Sequence, residues 1–462
     1  METTRLKARS GTPIGQEPVD AFRAEFKGQL ILPGDAAYDT ARRIWNASID
    51  KRPGLIARCS GAADVVAAVK FARANDLLVA VRGGGHNVGG RATCDDGIVI
   101  DLSAMKGIIV DPRSRTVQAQ AGATLAELDR ETHLYGLAVP AGTMSKTGIA
   151  GLTLGGGVGW LVRKYGLSCD NVLSFEVVTA EGKLVTASPT ANEDLYWGLR
   201  GGGGNFGIVT SFHYRAHPVS TVLGGLIIYP RDQSAAVVRN YREFMKTAPE
   251  ELTAYAGFIT TPDGMPAVGV VLCWCGDLAE GERVVKPLRS FGSPAMDAVQ
   301  PMPFPVMQTL LDGAFPDGSR NYWKTAFLKQ LSDEAIDTLI DRVNRAKSPM
   351  TGVVIEFYGG APGRIGAGDT AYAQRGQEYN IIIAAQWADP AESELHTAWA
   401  RDTFDAMQPF SSGGYLLNMM GEEKPEAIRQ AFGGNYGRLV ELKAKYDPTN
   451  FFSLNQNVAP PR

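Results

Sequence analysis

Three glycine clusters in the first half of the chain are the residues whose type and spacing speak most directly of chemistry. They read Arg82-Gly-Gly-Gly-His-Asn-Val-Gly-Gly90, Gly148-Ile-Ala-Gly-Leu-Thr-Leu-Gly-Gly-Gly-Val-Gly159 and Gly201-Gly-Gly-Gly-Asn-Phe-Gly207. Without Cβ, successive backbone amides can turn inward as a concave set of donors for phosphate oxygens. Residues 202–207 offer the spacing G-x-G-x-x-G. That spacing marks a dinucleotide site only where a strand precedes and a helix follows. Here the pattern predicts a helix before it, at 195–199, and a strand after it, at 208–212, which disfavours an ordinary nicotinamide site. His86 lies inside the first cluster, where a neutral imidazole facing a ligand can act as a nucleophile. Taken alone, it reads more readily as a hydrogen-bonding loop residue. Cys273-Trp-Cys275 has no second Cys/His pair, and His213-Tyr-Arg-Ala-His217 lacks the glutamate of a zinc helix. No metal site is expected, and His133, His213, His217 and His396 are assigned no chemistry.

The elements that must position these loops alternate in the first half. Helical spacing of apolar residues predicts helices over 62–75, 125–135 and 194–199. Short apolar runs predict strands at 77–81, 97–102 and 116–121, and a hairpin of 175–179 with 184–186 around Glu181-Gly182. Past about residue 219 the glycine clusters stop. Long strands are expected at 223–229, 268–275, 353–358 and 379–387, with amphipathic helices over 235–246, 332–347 and 391–407. The segment 435–457 reads as a helix ended at Tyr446-Asp-Pro448 and a polar tail.

Composition bounds the rest. The 462 residues carry a net charge of −3, which removes the electrostatic case for nucleic acid or an anionic membrane surface. Hydrophobic residues make up 44%, enough for packed cores. Five cysteines are too few and odd in number for a disulfide framework. The first ten residues hold no apolar signal-peptide core, and no run approaches a membrane span. The expectation is a cytoplasmic protein with a mobile tail over residues 1–15.

With the clusters in place, residues from about 50 to 215 and from 434 to 457 resemble the berberine bridge enzyme-like family of FAD-linked oxidases, in the vanillyl-alcohol oxidase fold group. The pieces that carry the resemblance are Arg52-Pro-Gly-Leu-Ile-Ala-Arg-Cys59, Val81-Arg-Gly-Gly-Gly-His-Asn87, Asp96-Gly-Ile-Val-Ile-Asp-Leu102, Leu154-Gly-Gly-Gly-Val-Gly159, Lys164-Tyr-Gly-Leu-Ser-Cys-Asp-Asn171, Trp197 to Gly207, and Lys445 to Asn457. Their order and spacing fit throughout. The resemblance implies an α+β, two-domain fold: an FAD-binding domain over 16–218, a substrate domain of antiparallel sheet covered by helices over 219–433, and a segment 434–462 returning to the first domain. It implies FAD bonded covalently to His86. The rest of the cofactor site would be Arg82, Gly83, Gly84, Gly85, Asn87, Gly142, Thr143, Thr147, Gly148, Gly151, Leu152, Gly156, Gly157, Gly159, Asp170, Asn171, Gly207, Val209, Asn455 and Asn457.

Many relatives attach the flavin a second time through a cysteine. Here that stretch reads Ala141-Gly-Thr-Met-Ser-Lys-Thr-Gly148, with Met144 at the cysteine position, so one covalent bond is expected. Thr147 stands where relatives place a residue over the flavin that influences oxygen access. A flavin oxidase takes a hydride while a base removes a proton. The resemblance places that base on the substrate-domain sheet, where Glu356, Tyr358, Tyr322, Lys324 and Gln386 are the candidates; strand alternation puts Glu356 and Tyr358 on one face. Relatives often carry a tyrosine that assists the base, but in Tyr415-Leu-Leu-Asn-Met-Met420 its place falls to Leu416, so Tyr415 would face away. The expected activity is oxidation of an alcohol or amine carbon on an aromatic, polyketide-like or alkaloid-like small molecule, with molecular oxygen reduced to hydrogen peroxide. The alternatives are a flavin-containing drug-binding protein without turnover and a sugar oxidase.

Overall fold

The helix Ala62–Ala74 carries Val65, Ala68, Val69 and Ala72 on one stripe, all fully buried. That stripe is filled from two sides, because the helix touches strands of two different sheets. The first sheet runs in the order Gln29–Ile31, Leu55–Arg58, Ile98–Asp101, Val79–Arg82, its last three strands parallel. Parallel strands covered on both faces are continuously apolar, as Ile98-Val-Ile100 is. The second sheet is antiparallel, in the order Ile108–Asp111, Thr116–Gln120, Ile208–Arg215, Val172–Val178, Leu184–Ala187. The computed structural model describes residues 5–421 and 423–461.

Residues 5–14, expected as part of a mobile tail, are held against this unit. Leu6 is 1% exposed, Arg5 and Lys7 pair with Asp96, and the Arg9 guanidinium donates to the Phe451 carbonyl at 2.7 Å. An apolar side chain set directly between two cations, Arg5 and Lys7, was the overlooked sign of a docked segment.

The second unit is an antiparallel sheet of eight strands. Thr221–Pro230, Pro266–Trp274, Leu252–Thr260, Gly352–Phe357, Tyr379–Trp387 and Arg320–Leu328 follow one another across it, with two short strands beside the first. Two of these, Leu252–Thr260 and Arg320–Leu328, were not anticipated as strands. Helices Ser234–Met245, Leu278–Arg289, Asp333–Asn344 and Ser393–Met407 cover one face. Their buried stripes join alternate strand residues such as Val353, Ile355, Ile381 and Ile383 in one apolar core. The opposite face looks at the first unit. Asn46 ties the two together: its side-chain amide donates to the carbonyls of Val88 and Asn321, and its Oδ1 accepts from Asn321 N–H.

The chain returns to the first core earlier than residue 434, for Leu417, Met420, Ile428 and Phe432 already pack there. The last helix, Tyr436–Tyr446, is pinned by a buried i,i+4 pair. Lys443 Nζ donates to Asp447 at 2.7 Å and to the carbonyls of Asn205 and Phe452, while Asp447 accepts from the amides of Phe451 and Phe452. Every donor of a fully buried ammonium is thereby engaged, which is what makes its burial tolerable. Among the described residues no helix is long and apolar enough to cross a membrane.

Candidate functional site

A channel runs between the glycine loops and the uncovered face of the eight-stranded sheet. The first loop leaves the strand Val79–Arg82, and Gly148 opens the short helix Ile149–Leu154. The two loops touch backbone to backbone: a Cβ on Gly84 would lie 2.5 Å from the Gly148 nitrogen, and one on Gly148 would lie 2.4 Å from that of Gly84. Only glycine permits this approach, and it turns both loops toward the channel. Asn418, from the chain's return, clamps the helix by donating to the carbonyls of Gly151 and Leu152.

His86 lies in the channel wall, with its ring stacked on Trp45 at 4.5 Å and 15°. Burial lowers its pKa to about 4, against a smaller opposing effect of the Asp317 carboxylate. The imidazole is therefore neutral near pH 7, with a lone pair to give. Its Nε2 is buried without a partner among the described residues, as are Asn87 Oδ1 and Asn455 Oδ1, two further wall residues. Orphaned polar atoms along a long, mostly apolar, glycine-lined channel fit a dinucleotide with a flat ring system and polar edges. FAD is such a group. Met144 and Thr147 both line the channel, next to this loop.

The opposite wall is built by register. Tyr255, Glu356 and Asn380 are cross-strand partners in one row of the sheet. Glu356 Oε2 accepts from the Tyr358 hydroxyl and from Asn380 Nδ2 at 2.8 Å, and the same amide nitrogen donates to the Tyr358 oxygen at 3.1 Å. All three are at most 5% exposed. Burial raises the Glu356 pKa, and the two donors only partly restrain it, so the carboxyl stands above its ordinary range. Burial pushes Tyr358 well above its own, so the phenol keeps its proton. Leu416 packs beside Tyr358 and Tyr372, whereas Tyr415 stacks on Phe404 away from the channel.

Of the residues expected at the site, Gly83, Gly84, Gly85, His86, Asn87, Gly142, Thr143, Thr147, Gly148, Gly151, Leu152, Gly207, Val209, Asn455 and Glu356 line the channel. Tyr358 stands behind Glu356. The others are turned elsewhere, each for a visible reason. Arg82 points back into the first sheet, where it pairs with Asp101 at 2.8 Å and donates to the Ala41 carbonyl. Gly156 makes room for the Tyr372 ring, Gly157 for Ser168 and Gly159 for the Ala141 carbonyl. Asp170 forms a two-bond pair with Arg375, and Asn171 spans two carbonyls and His217. Asn457 lies off the wall.

Tyr322 and Lys324 fall on the helix-covered face. Their strand alternates, so Trp323 takes the channel position while Tyr322 accepts from Arg401 and Lys324 pairs with Glu423 at 2.6 Å. Gln386 donates to the Ala314 carbonyl, outside the wall.

Sequence reasoning passed over Asn380, Tyr255, Trp45 and Asn418. For Asn380 a signal existed: it is an amide inside the otherwise apolar run Tyr379-Asn-Ile-Ile-Ile-Ala-Ala385, the kind of buried polar residue a strand carries only for a partner.

Two family models match the chain, an FAD binding domain over residues 53–188 and a berberine and berberine-like segment over residues 415–459. The chain is 32% identical to an FAD-linked oxidoreductase of Dictyostelium discoideum over 447 residues, covering 96% of this chain and 97% of that protein. It is 31% identical to the (R)-6-hydroxynicotine oxidase of Paenarthrobacter nicotinovorans, covering 94% and 97%. The crystal structure of 6-hydroxy-D-nicotine oxidase from Arthrobacter nicotinovorans superimposes with a TM-score of 0.87 at 30% identity, covering 94% of this chain and 98% of that one.

Proposed function

This chain belongs to the FAD-linked oxidoreductases with a berberine-like C-terminal segment, and from that premise we propose an FAD-dependent oxidase whose flavin is held by one covalent bond to His86. It oxidises an alcohol or amine carbon on a small molecule with an apolar, aromatic body, and molecular oxygen is reduced to hydrogen peroxide. The observation that carries this reading is a buried carboxyl of raised pKa, Glu356, on the same channel as a buried neutral imidazole, His86.

When bound, FAD supplies the hydride acceptor. His86 offers the imidazole lone pair for attachment, and Met144, a thioether, offers no thiolate for a second bond. Glu356 takes the proton from the substrate O–H or N–H; its raised pKa brings it nearer neutrality, where a base works best. Leu311, Phe315, Trp323, Ile382 and Met419 line the channel with apolar and aromatic surface, which supports an aromatic substrate over a carbohydrate. The nicotinovorans relative is named for 6-hydroxynicotine, a pyridine ring bearing a saturated cyclic amine, which agrees with that lean.

The test is the visible spectrum before and after acid precipitation. Yellow colour should stay with the precipitated protein and be lost from it in His86→Ala. Colour released from the wild-type protein would remove the covalent assignment, and a protein unable to take up FAD would overturn the reading. Peroxide release with 6-hydroxynicotine, coniferyl alcohol and cellobiose then sorts amine, alcohol and sugar. A protein that only sequesters a ligand, the reading favoured by Leu416 in place of a tyrosine, would bind one of these and release no peroxide.

A further inference from the structure

The polar cluster on the sheet has a feature that the assignment of a base does not use: one amide nitrogen touches both of its other members. Asn380 Nδ2 lies 2.8 Å from Glu356 Oε2 and 3.1 Å from the Tyr358 oxygen, and the Tyr358 oxygen in turn bonds to the same Oε2. Three groups therefore close a triangle with a fixed hydrogen order. An amide nitrogen only donates and an ionised carboxylate only accepts. The Tyr358 oxygen must accept from Asn380, so its single hydrogen has one place to go, Glu356 Oε2.

We infer that Asn380 is a positioning residue that locks Tyr358 as a donor to Glu356, making Glu356, and not Tyr358, the group that takes the substrate's proton. The inference rests on the oxidase reading for its catalytic meaning. Two observations support the lock. Asn380 is fully buried, and its Oδ1 has no partner among the described residues. The orientation holds in spite of that unpaired oxygen, because turning the amide over would forfeit both donations and set Oδ1 against the carboxylate. Both donors go to Oε2, and Oε1 receives none from the described residues, so it is left for another proton.

The titratable groups facing Glu356 are otherwise tyrosines. Tyr255 comes from the neighbouring strand, Tyr372 lies beyond Tyr358, and Tyr241 acts from the helix-covered side of the sheet. No side-chain cation shares the triangle among the described residues, which leaves the amide and the phenol as the groups holding the carboxylate in its ionised form.

The experiment needs no substrate. The protonated-carboxyl infrared band that is present in wild type and missing from Glu356→Gln is followed against pH in the protein as purified. Asn380→Leu removes the amide at similar size and should move that transition upward by about one pH unit or more. Asn380→Asp sets a second carboxyl beside the first, and the pair should retain one proton to a still higher pH; it also serves if the leucine variant does not fold. An unchanged transition in the folded variant would overturn the lock. The ultraviolet tyrosinate signal settles the direction of the proton. None should be lost at neutral pH on Tyr358→Phe, and a loss there would make Tyr358 the base. Wild type and variants are compared at equal flavin content, and a protein that takes up no flavin would instead sink the oxidase reading.

Discussion

The two faces of the eight-stranded sheet are made by alternate residues of the same strands, and they differ in almost everything. On Tyr379–Trp387, Ile381 and Ile383 enter the helix-covered core while Asn380 turns the other way to Glu356. On Gly352–Phe357, Val353 and Ile355 join that core, and Val354 and Glu356 line the channel. One face excludes water with interchangeable aliphatic groups. The other buries a carboxyl and gives it two neutral donors. A period of two thus lets one element serve stability and chemistry separately, with the covered face holding the backbone rigid under the cluster.

The sharpest way to break the comparison is Glu356→Gln. On the channel face it should slow flavin reduction by a reducing substrate by about 10²–10⁴-fold, as loss of a general base does, and leave the unfolding midpoint nearly in place. Anaerobic stopped-flow and thermal melting read the two quantities; a large loss of stability with little loss of rate would reverse the roles of the faces. Ile383→Ala, on the covered face, should do the opposite. It empties a fully buried site and costs about 2–5 kcal/mol in denaturant unfolding, while acid-stable flavin and turnover in the folded fraction persist.

Tyr358→Phe should cost about tenfold in rate, because a hydrogen bond to a charged group is lost. The sign of its pH effect follows from the base. A carboxyl works ionised, so activity climbs as pH rises through a value above the usual carboxylate range, and removing the Tyr358 donor moves that climb to higher pH. Tyr322→Phe is the smallest effect and the sharpest control. With the ring on the covered face and its hydroxyl accepting from Arg401, turnover should change by less than about twofold and stability by roughly 0.5 kcal/mol.

That control marks a place where the expectation and the structure part. The Gly-Gly-Gly-His loop, the second glycine cluster and the alternation of Glu356 with Tyr358 were legible, because each is a local pattern with a physical cause. The strand Arg320–Leu328 was harder. Its Asn-Tyr-Trp-Lys stretch places aromatics in both registers, and the resemblance alone made Tyr322 and Lys324 candidates for the chemistry. The covered face near this edge strand is only partly buried, so it accepts a lysine, and the apolar Trp323 goes to the channel. Asp170 and Arg82 lie off the channel wall for another reason. Their partners, Arg375 and Asp101, are distant in sequence, and nothing local distinguishes a polar residue that braces a loop from one that meets a cofactor.

The knot of Lys443 and Asp447 has a consequence for how the protein is made. Phe452, Leu454, Asn455 and Gln456 form part of the channel wall, and they are set by carbonyl and amide bonds to that buried pair. During synthesis the glycine loops leave the ribosome some three hundred residues before this wall exists. Until then one stretch of the channel wall is missing, so a flavin enclosed by the complete channel is enclosed only by a chain translated past residue 456.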